Sequence, residues 1–220
     1  MEESWPVLDL PLPLLVLTAI GLIAFAASGA VAGARAGMDW LGLTTLAAVT
    51  AIGGGTTRDV LMGRIPRWLV DFWPTVVLIG VTVVVVWVAS RLLPSSRHPA
   101  WTGWAFTLTD AIGLAAFTVT GTDIAIDVGF ASGPAVVLGV VSGIGGGVIR
   151  DVLAGRRIAI FTGEVYALAA LAGAVVFLLT VPLGTWAAYA GGMSVVLVVR
   201  LGAVALGWRV PTLPPAGTEG

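Results

Sequence analysis

The sequence predicts an all-α membrane protein with seven transmembrane helices, arranged as an inverted repeat of two three-helix units plus a seventh helix. Three observations predict this fold class. Hydrophobic residues make up 58% of the 220 residues and charged residues only 10%, whereas a soluble domain carries roughly 25% charged residues. The apolar residues form long blocks, and two groups of residues recur at a fixed distance along the chain. Lipid is therefore the expected solvent for most of the chain.

Seven apolar segments, separated by polar residues, proline or glycine, are long enough to cross the hydrocarbon core of a bilayer. They lie near Leu12–Val31, Trp40–Leu61, Phe72–Leu93, Trp104–Thr122, Gly133–Leu153, Gly163–Val181 and Trp186–Leu206. We therefore predict a first three-helix repeat over residues 12–93, a second over 104–182 and a seventh helix over 185–207. An N-terminal segment, 1–11, and a C-terminal tail, 208–220, flank these units.

The charges of the connecting segments predict the orientation. Seven crossings place the two termini on opposite sides of the membrane. One side then holds Arg35, Arg91, Arg97, Arg156, Arg157 and Arg209, and the other holds Arg64 and Arg67 with Glu2, Glu3, Asp9, Asp123 and Asp127. Because arginine-rich connections stay in the cytoplasm, we expect the N-terminus outside and the C-terminus in the cytoplasm.

Two sequence blocks recur after a shift of 92 residues. The first reads IGLIAF at 20–25 and IGLAAF at 112–117, and the second reads GGGTTRDVLMGR at 53–64 and GGGVIRDVLAGR at 145–156. A shared shift indicates duplication. Each copy holds three spans, an odd number, so the second copy must enter the membrane from the opposite side. Inverted repeats of this kind are common in transport proteins, where the solute site lies near the midplane between the copies.

Each copy carries three consecutive glycines in its second predicted helix. They are Gly53, Gly54 and Gly55 in the first copy and Gly145, Gly146 and Gly147 in the second. Glycine weakens a helix by about 0.8–1 kcal/mol relative to alanine, so we predict that each triplet kinks or unwinds its helix. The freed backbone groups would need water or protein partners, which predicts a wet passage there. The alternative is close helix packing, which we expect for glycines spaced by four residues. These are Gly29, Gly33 and Gly37, and Gly139, Gly143 and Gly147.

An arginine and an aspartate follow each triplet, Arg58 with Asp59 and Arg150 with Asp151. Ionisable groups at membrane depth usually face a partner or a water-filled cavity. Adjacent residues on a helix do not face each other, so we predict crossed ion pairs, Arg58 with Asp151 and Arg150 with Asp59. The alternative is that these residues anchor helix ends at the membrane surface.

Further polar residues fall inside the predicted spans. Asp110 occupies the position that Thr18 has in the first copy. It is a candidate for attracting a cation or for a hydrogen bond to a neighbouring helix. Hydroxyl groups that could line a polar path are those of Ser28, Thr118, Thr120 and Ser142. Such hydroxyls also bond to the backbone of their own helix, which is the structural alternative.

The composition predicts no catalytic, metal or nucleic-acid site. The chain has no cysteine and one histidine, so it lacks thiol chemistry, a Ser/His/Asp set and a cluster of metal ligands. The net charge of −1 gives no attraction for nucleic acid. We therefore expect neither an enzyme nor a bound cofactor.

The duplicated blocks, in a seven-span chain of this size, resemble prokaryotic members of the trimeric intracellular cation (TRIC) channel family. The resemblance covers roughly Leu14 to Leu206. It implies inverted three-helix repeats, a seventh helix, an outside N-terminus and a homotrimer with one pore per subunit. It also implies a channel for potassium and sodium in a bacterial inner membrane. Membrane lipid and further copies of the chain are then the partners, and permeant ions and bound lipid the only small molecules.

The resemblance also assigns roles to residues. By motif match, the triplets Gly53–Gly55 and Gly145–Gly147 form the hinges of pore-lining helices, with the two arginine–aspartate pairs beside the pore. Animal members carry a lysine-glutamate-valine motif tied to phosphoinositide binding, and this chain has no lysine. The family is also labelled as glycine transporters, so a secondary carrier for a small solute such as glycine is the alternative. Broken helices offer carbonyl groups to cations and N–H groups to anions, and the sign of the permeant charge stays open.

Overall fold

All structural elements in the described part of the chain are helices. The structure is a computed structural model that describes residues 11–92, 99–161 and 165–211. Its α-helices are α1 (Leu12–Arg35), α2 (Trp40–Leu61), α3 (Arg67–Val70), α4 (Phe72–Leu92), α5 (Pro99–Asp127), α6 (Ser132–Leu153), α7 (Ala167–Thr180) and α8 (Thr185–Leu206). Short 3-10 turns at Ala159–Phe161 and Val181–Leu183 precede α7 and α8.

The predicted fold class, an all-α fold with seven long helices, is confirmed, since α3 is a single turn of four residues. The main differences lie in length. α5 has 29 residues and extends beyond the predicted Trp104–Thr122 at both ends, because apolarity marks only the part of a helix in lipid. The predicted start of the sixth span, Gly163, most of the segment 1–11 and most of the tail 208–220 lie outside the described residues.

Local signals mark the start of α2 and the ends of the repeat-related helices α2 and α6. α2 begins after Asp39, whose Oδ1 accepts a hydrogen bond from the backbone nitrogen of Gly42 at 2.7 Å, as N-cap residues do. α2 and α6 both end before a glycine with positive φ, 68° at Gly63 and 63° at Gly155. Glycine adopts this left-handed conformation without steric strain. The duplication therefore extends to the chemistry of the turns.

Four helices form the centre of the molecule. α1 packs against α2 and α5, and α6 packs against the same two helices. In the first repeat, α4 lies outside α1 and α2, and in the second repeat α7 lies outside α5 and α6. α8 packs on α7 and α5, so the seventh long helix covers one side of the second repeat.

Reciprocal contacts at the centre relate the two repeats. The rings of Phe25 on α1 and Phe117 on α5 stack with centroids 5.4 Å apart and planes 12° apart. Phe25 lies against Gly113, and Phe117 lies against Gly21, so a side chain at either glycine would crowd the opposite ring. These four residues are two pairs matched by the 92-residue shift. Matched residues that contact each other reciprocally indicate an approximate twofold axis, as the inverted repeat predicts.

The outer surface fits a lipid environment. α1, α4, α6 and α8 are long and apolar enough to cross a membrane, and Ala167–Leu183 is a shorter apolar helix. α2 and α5, which are rich in threonine and glycine, fall outside that set. Val77, Val81 and Val85 form an apolar stripe along α4, and all three are more than half exposed. Soluble proteins rarely expose a continuous apolar surface to water. The chain is a multi-pass membrane protein.

Candidate functional site

Two cavities lie at opposite ends of the central helices α1 and α5. The first, of about 170 Å³, is lined by Thr18 and Leu22 in the first half of α1 and by Phe117 in the second half of α5. The second, of about 340 Å³, is lined by Arg35 at the end of α1 and by Asp110 in the first half of α5. The two cavities therefore approach the middle of the helix bundle from opposite ends.

Charge is balanced in the first cavity. Arg58 Nη2 lies 2.7 Å from Asp59 Oδ1, and Arg67 Nε lies 3.0 Å from Asp71 Oδ2. The second carboxylate oxygen of Asp59 accepts a hydrogen bond from the backbone nitrogen of Arg67 at 2.9 Å. This bond attaches the start of α3 to the end of α2. All four charged residues line the cavity.

Positive charge is in excess in the second cavity, where Asp110 and Asp151 are the acidic residues. The arginines that line it are Arg35, Arg150, Arg156, Arg157, Arg200 and Arg209. Three guanidinium groups lie around the ring of Phe106, with Cζ of Arg150 at 4.4 Å, of Arg156 at 4.3 Å and of Arg35 at 5.6 Å from the centroid. Each contact stabilises its cation by about 0.5–2 kcal/mol, which offsets part of the repulsion between them.

Arg150 is the centre of a buried ion cluster and is 1% exposed. Its Nη1 donates hydrogen bonds to Asp110 Oδ1 at 2.5 Å and to Ser28 Oγ at 2.6 Å. Its Nε and Nη2 lie 3.0 and 2.9 Å from Asp151 Oδ1. The Tyr166 hydroxyl donates to Asp110 Oδ1 at 3.2 Å. The cluster therefore joins α1, α5, α6 and the residue preceding α7.

The two arginines are matched in the repeat but have different partners. Arg150 contacts two carboxylates, whereas Arg58 contacts Asp59 and donates a longer bond, 3.4 Å, to Ser142 Oγ. The cause is one substitution between the copies, since Thr18 stands where the second copy has Asp110. Removing one partner of a buried ion pair costs about 3–5 kcal/mol. Two carboxylates therefore hold Arg150 in place more strongly than one carboxylate holds Arg58.

α2 and α6 cross at the glycine triplets. A Cβ at Gly54 would collide with the carbonyl oxygen of Ser142, and one at Gly146 would collide with that of Thr50. Thr50 and Ser142 are matched by the 92-residue shift, so this contact is also reciprocal. Gly55 differs: it lines the first cavity, and its Cβ would approach Arg58 Nη2 at 3.9 Å. Glycine is therefore needed where the two backbones touch.

Solved structures share this fold. The TRIC trimeric intracellular cation channel orthologue from Rhodobacter sphaeroides matches with a TM-score of 0.80 and 32% identity, over 90% of this chain and 100% of its own. A prokaryotic TRIC channel crystallised in 0.5 M KCl matches with a TM-score of 0.81 and 27% identity, over 89% of this chain and 97% of its own.

Bacterial membrane proteins are similar in sequence. The membrane protein YvgT of Bacillus subtilis is 39% identical over 73% of this chain and 78% of its own length. The inner membrane protein YadS of Escherichia coli is 36% identical over 77% of this chain and 82% of its own length. A family model described as Glycine transporter matches residues 15–89 and 107–182.

The chain belongs to the TRIC family. The two segments that match the family model begin at residues 15 and 107, which reproduces the 92-residue shift of the internal repeat. Each matched segment covers one three-helix unit. The seventh long helix of this TRIC family member, α8, lies outside both segments.

The predicted crossed ion pairs are wrong. Within this TRIC family member, Arg58 pairs with Asp59 and Arg150 pairs with Asp151 and Asp110. The prediction rested on the directions of the Cβ atoms, which diverge for adjacent residues. A guanidinium group lies several bonds beyond Cβ, so the side chain folds back and reaches the neighbouring carboxylate. All four residues are at most 5% exposed, so they do not extend to the membrane surface either.

The predicted unwinding at the glycine triplets is also wrong, because α2 and α6 run as α-helix through all six glycines. A kink within these continuous helices stays a prediction. Close packing applies to the triplets as well as to spaced glycines such as Gly29, which lies against Ala47 and Thr50 of α2. Backbone atoms of the other helix fill the space that freed backbone groups would need. Of the six predicted hinge glycines, Gly55 is the one that lines either of the two cavities.

The predicted polar residues fall into three groups. Asp110 lines the second cavity and forms an ion pair with Arg150. Neither predicted role of Asp110, attracting a cation or bonding to a neighbouring helix, specified Arg150 as the partner. Ser28 and Ser142 are buried and accept hydrogen bonds from the two arginines. Thr118 and Thr120 are buried within α5, and Thr120 donates to the Ala116 carbonyl oxygen at 2.8 Å. These four hydroxyl residues lie outside the walls of both cavities.

Sequence reasoning missed several residues that shape the cavities. Phe106 and Tyr166 interact with the arginine cluster, and no spacing in the sequence connects them to it. Trp68 Nε1 donates a hydrogen bond to Thr56 Oγ1 at 3.0 Å across the first cavity. The stacked pair Phe25 and Phe117 was visible as a signal, since both residues end the duplicated IGLxAF block.

Proposed function

We propose that this chain forms a channel for monovalent cations, chiefly potassium and sodium, with one path through each subunit of a homotrimer. The observation that carries the proposal is the pair of cavities at opposite ends of α1 and α5, each containing an arginine–aspartate pair from one repeat. A path between them would cross the approximate twofold axis, because the axis of an inverted repeat lies in the membrane plane and exchanges the two cavities. The solved relatives with this fold are described as cation channels, and this supports conduction rather than catalysis.

Acidic residues line both cavities on this path, each beside an arginine. Asp59 and Asp71 line the first cavity, and Asp110 and Asp151 line the second. Carboxylate rings are a common feature of cation-selective pores. Arginines balance the aspartates in the first cavity and outnumber them in the second, so a permeant cation would bind weakly and leave quickly, as conduction requires.

The proposal includes an assembly and an orientation. A trimer is supported by the description of the Rhodobacter sphaeroides relative as trimeric. A bacterial inner membrane is supported by the description of the Escherichia coli relative. The second cavity contains Arg156, Arg157 and Arg209, which by the positive-inside rule supports a cytoplasmic location for it. Cross-linking of the protein in membranes is expected to give a ladder that ends at three subunits, and a ladder that ends at two would contradict the trimer.

A carrier for a small solute with a carboxylate group, such as glycine, is the second candidate. The observation that favours it is the second cavity, where six arginines face two aspartates. Arginine binds carboxylates through paired hydrogen bonds. The description of the family as glycine transporters agrees with this candidate.

Recording from the purified protein in planar bilayers separates the two candidates. For a channel, unitary currents under a potassium chloride gradient reverse close to the potassium equilibrium potential. For a carrier, such currents are absent, and vesicles containing the protein accumulate labelled glycine in a saturable manner.

A matched pair of variants connects the current to the first cavity. Asp71→Asn leaves Arg67 without its ion-pair partner there, so the cavity becomes net positive and the potassium conductance is expected to fall. Asp39→Asn changes the same chemical group at the exposed N-cap of α2, outside both cavities, and is expected to leave the conductance unchanged. Equal conductance in the two variants would show that ions do not pass through the first cavity.

A further inference from the structure

We infer that Phe25 and Phe117 form the barrier that separates the two cavities, and that conduction requires this stacked pair to part. The inference rests on the proposed path between the cavities and adds the residues that close it. Phe25 and Phe117 lie on α1 and α5, the two central helices that line both cavities.

Each ring lies at or next to the inner end of one cavity. Phe117 is itself part of the first cavity wall, and it packs on Gly21, one helical turn from the cavity residue Thr18. Phe25 packs on Gly113 and Gly146, which lie one helical turn from the second-cavity residues Asp110 and Arg150. The rings therefore fill the space between the floors of the two cavities.

The barrier is thin and dry. Along α5, the second-cavity residue Asp110 and the first-cavity residue Phe117 are seven positions apart, which is roughly 10 Å at 1.5 Å per residue. Phe25 is 0% exposed and Phe117 is 5% exposed, and their neighbours include Leu22, Ala51 and Ile79. The stacked rings fill the path, and an apolar constriction also excludes water and ions by dewetting, so conduction needs the rings to separate far enough for water to enter.

The pair also couples the barrier to the two repeats. One ring belongs to each repeat, and each ring is seated on a glycine of the other. Relative movement of the repeats would therefore separate the rings and remove both from their seats together. The stack is the point at which a rearrangement of the inverted repeats becomes an opening between the cavities.

Thiol labelling tests the barrier without requiring any current. The chain has no cysteine, so a single cysteine can be placed in each cavity, by Thr18→Cys in the first and Thr107→Cys in the second. With the native phenylalanines, a membrane-impermeant methanethiosulfonate reagent is expected to label each cysteine from one side of the membrane only. Adding Phe25→Ala and Phe117→Ala is expected to accelerate labelling from the other side by roughly tenfold or more, because the constriction is hydrated.

Two further variants control for folding. Phe177→Ala removes an equally buried ring that packs on Tyr189, away from both cavities, and is expected to keep labelling one-sided. Phe117→Leu retains apolar bulk and is expected to give an intermediate rate, which provides a measurement if the double alanine variant does not fold. One-sided labelling in a folded variant that lacks either ring would overturn the inference.

Conduction gives a separate readout. The alanine variants are expected to show a higher open probability than the native protein, with Phe177→Ala unchanged. If the native protein conducts potassium and the ring variants alter neither open probability nor labelling, the barrier is refuted while the channel stands. If no variant conducts, the channel proposal fails, and the labelling result still decides whether the rings separate the cavities.

Discussion

Arg150 shows how single residues fix this bundle. Its guanidinium group is 1% exposed and contacts Asp110, Asp151 and Ser28. A buried cation is stable only when carboxylates and hydrogen-bond acceptors replace its hydration. The cluster meets this requirement by drawing side chains from three long helices, so these helices are held together where the second cavity reaches the centre.

Replacing each arginine by methionine measures the asymmetry between the repeats. Arg150→Met leaves Asp110 and Asp151 buried without a cation, and we expect a loss of about 3–5 kcal/mol in stability. Arg58→Met leaves one carboxylate, Asp59, which keeps its bond from the backbone of Arg67, so the loss is expected to be smaller. The fraction of protein that remains monodisperse after heating in detergent is the measurement. Equal losses would mean that Asp110 adds nothing to the second cluster.

At the scale of elements, the crossing of α2 and α6 determines how closely the repeats approach. Gly54 and Gly146 lie against the carbonyl groups of Ser142 and Thr50. A backbone carbonyl in a continuous helix cannot move aside as a side chain can. Glycine here costs helix stability, and the gain is a contact between two backbones at the centre of the bundle.

Alanine substitutions distinguish packing from hinge action at these glycines. Gly54→Ala and Gly146→Ala are expected to be strongly destabilising, by about 1–3 kcal/mol or more, because the added methyl group overpacks the crossing. Gly55→Ala adds the same methyl group where the nearest atom is 3.9 Å away, and we expect a gain of about 0.5–1 kcal/mol from better helix propensity. Melting temperatures of the three variants in one detergent are the measurement. If Gly55→Ala is as harmful as the other two, the triplet has a role beyond packing, such as a hinge.

At the scale of the whole molecule, an odd number of spans per copy converts a duplication into an inverted pair. The reciprocal contacts of Phe25 and Phe117 with glycines of the opposite repeat follow from this symmetry. So does the location of the two cavities at opposite ends of α1 and α5. The two cavities also depart from this symmetry. Arginines outnumber aspartates in the second cavity, whereas the two are balanced in the first.

Labelling of matched positions tests the inverted arrangement directly. Ile65 and Arg157 are related by the 92-residue shift and are both exposed. In the cysteine-free chain, Ile65→Cys and Arg157→Cys are expected to react with an impermeant thiol reagent from opposite sides of the membrane. Reaction of both from the same side would rule out the inverted repeat, and denatured samples provide the control for total thiol content.

Composition and repetition account for what could be predicted. Long apolar blocks locate spanning helices because lipid cannot satisfy a free backbone, and the 92-residue shift locates the repeats because duplication preserves order. The cavity walls were only partly predictable. Asp110, Arg58 and Arg150 stood out as charges inside apolar segments, whereas Phe106 and Tyr166 are ordinary residues until the fold brings them to the arginine cluster.

The sequence by itself determined the seven-helix class, the inversion of the repeats and the presence of five charged residues inside or beside apolar segments, because these follow from hydrophobic length, parity and residue order. The tertiary structure alone decided the partners. It placed the glycine triplets in a helix crossing, paired each arginine with its adjacent aspartate, and set two phenylalanine rings between two cavities. Such contacts depend on distances of a few ångströms between helices far apart in the chain, and side-chain periodicity carries no information about those distances.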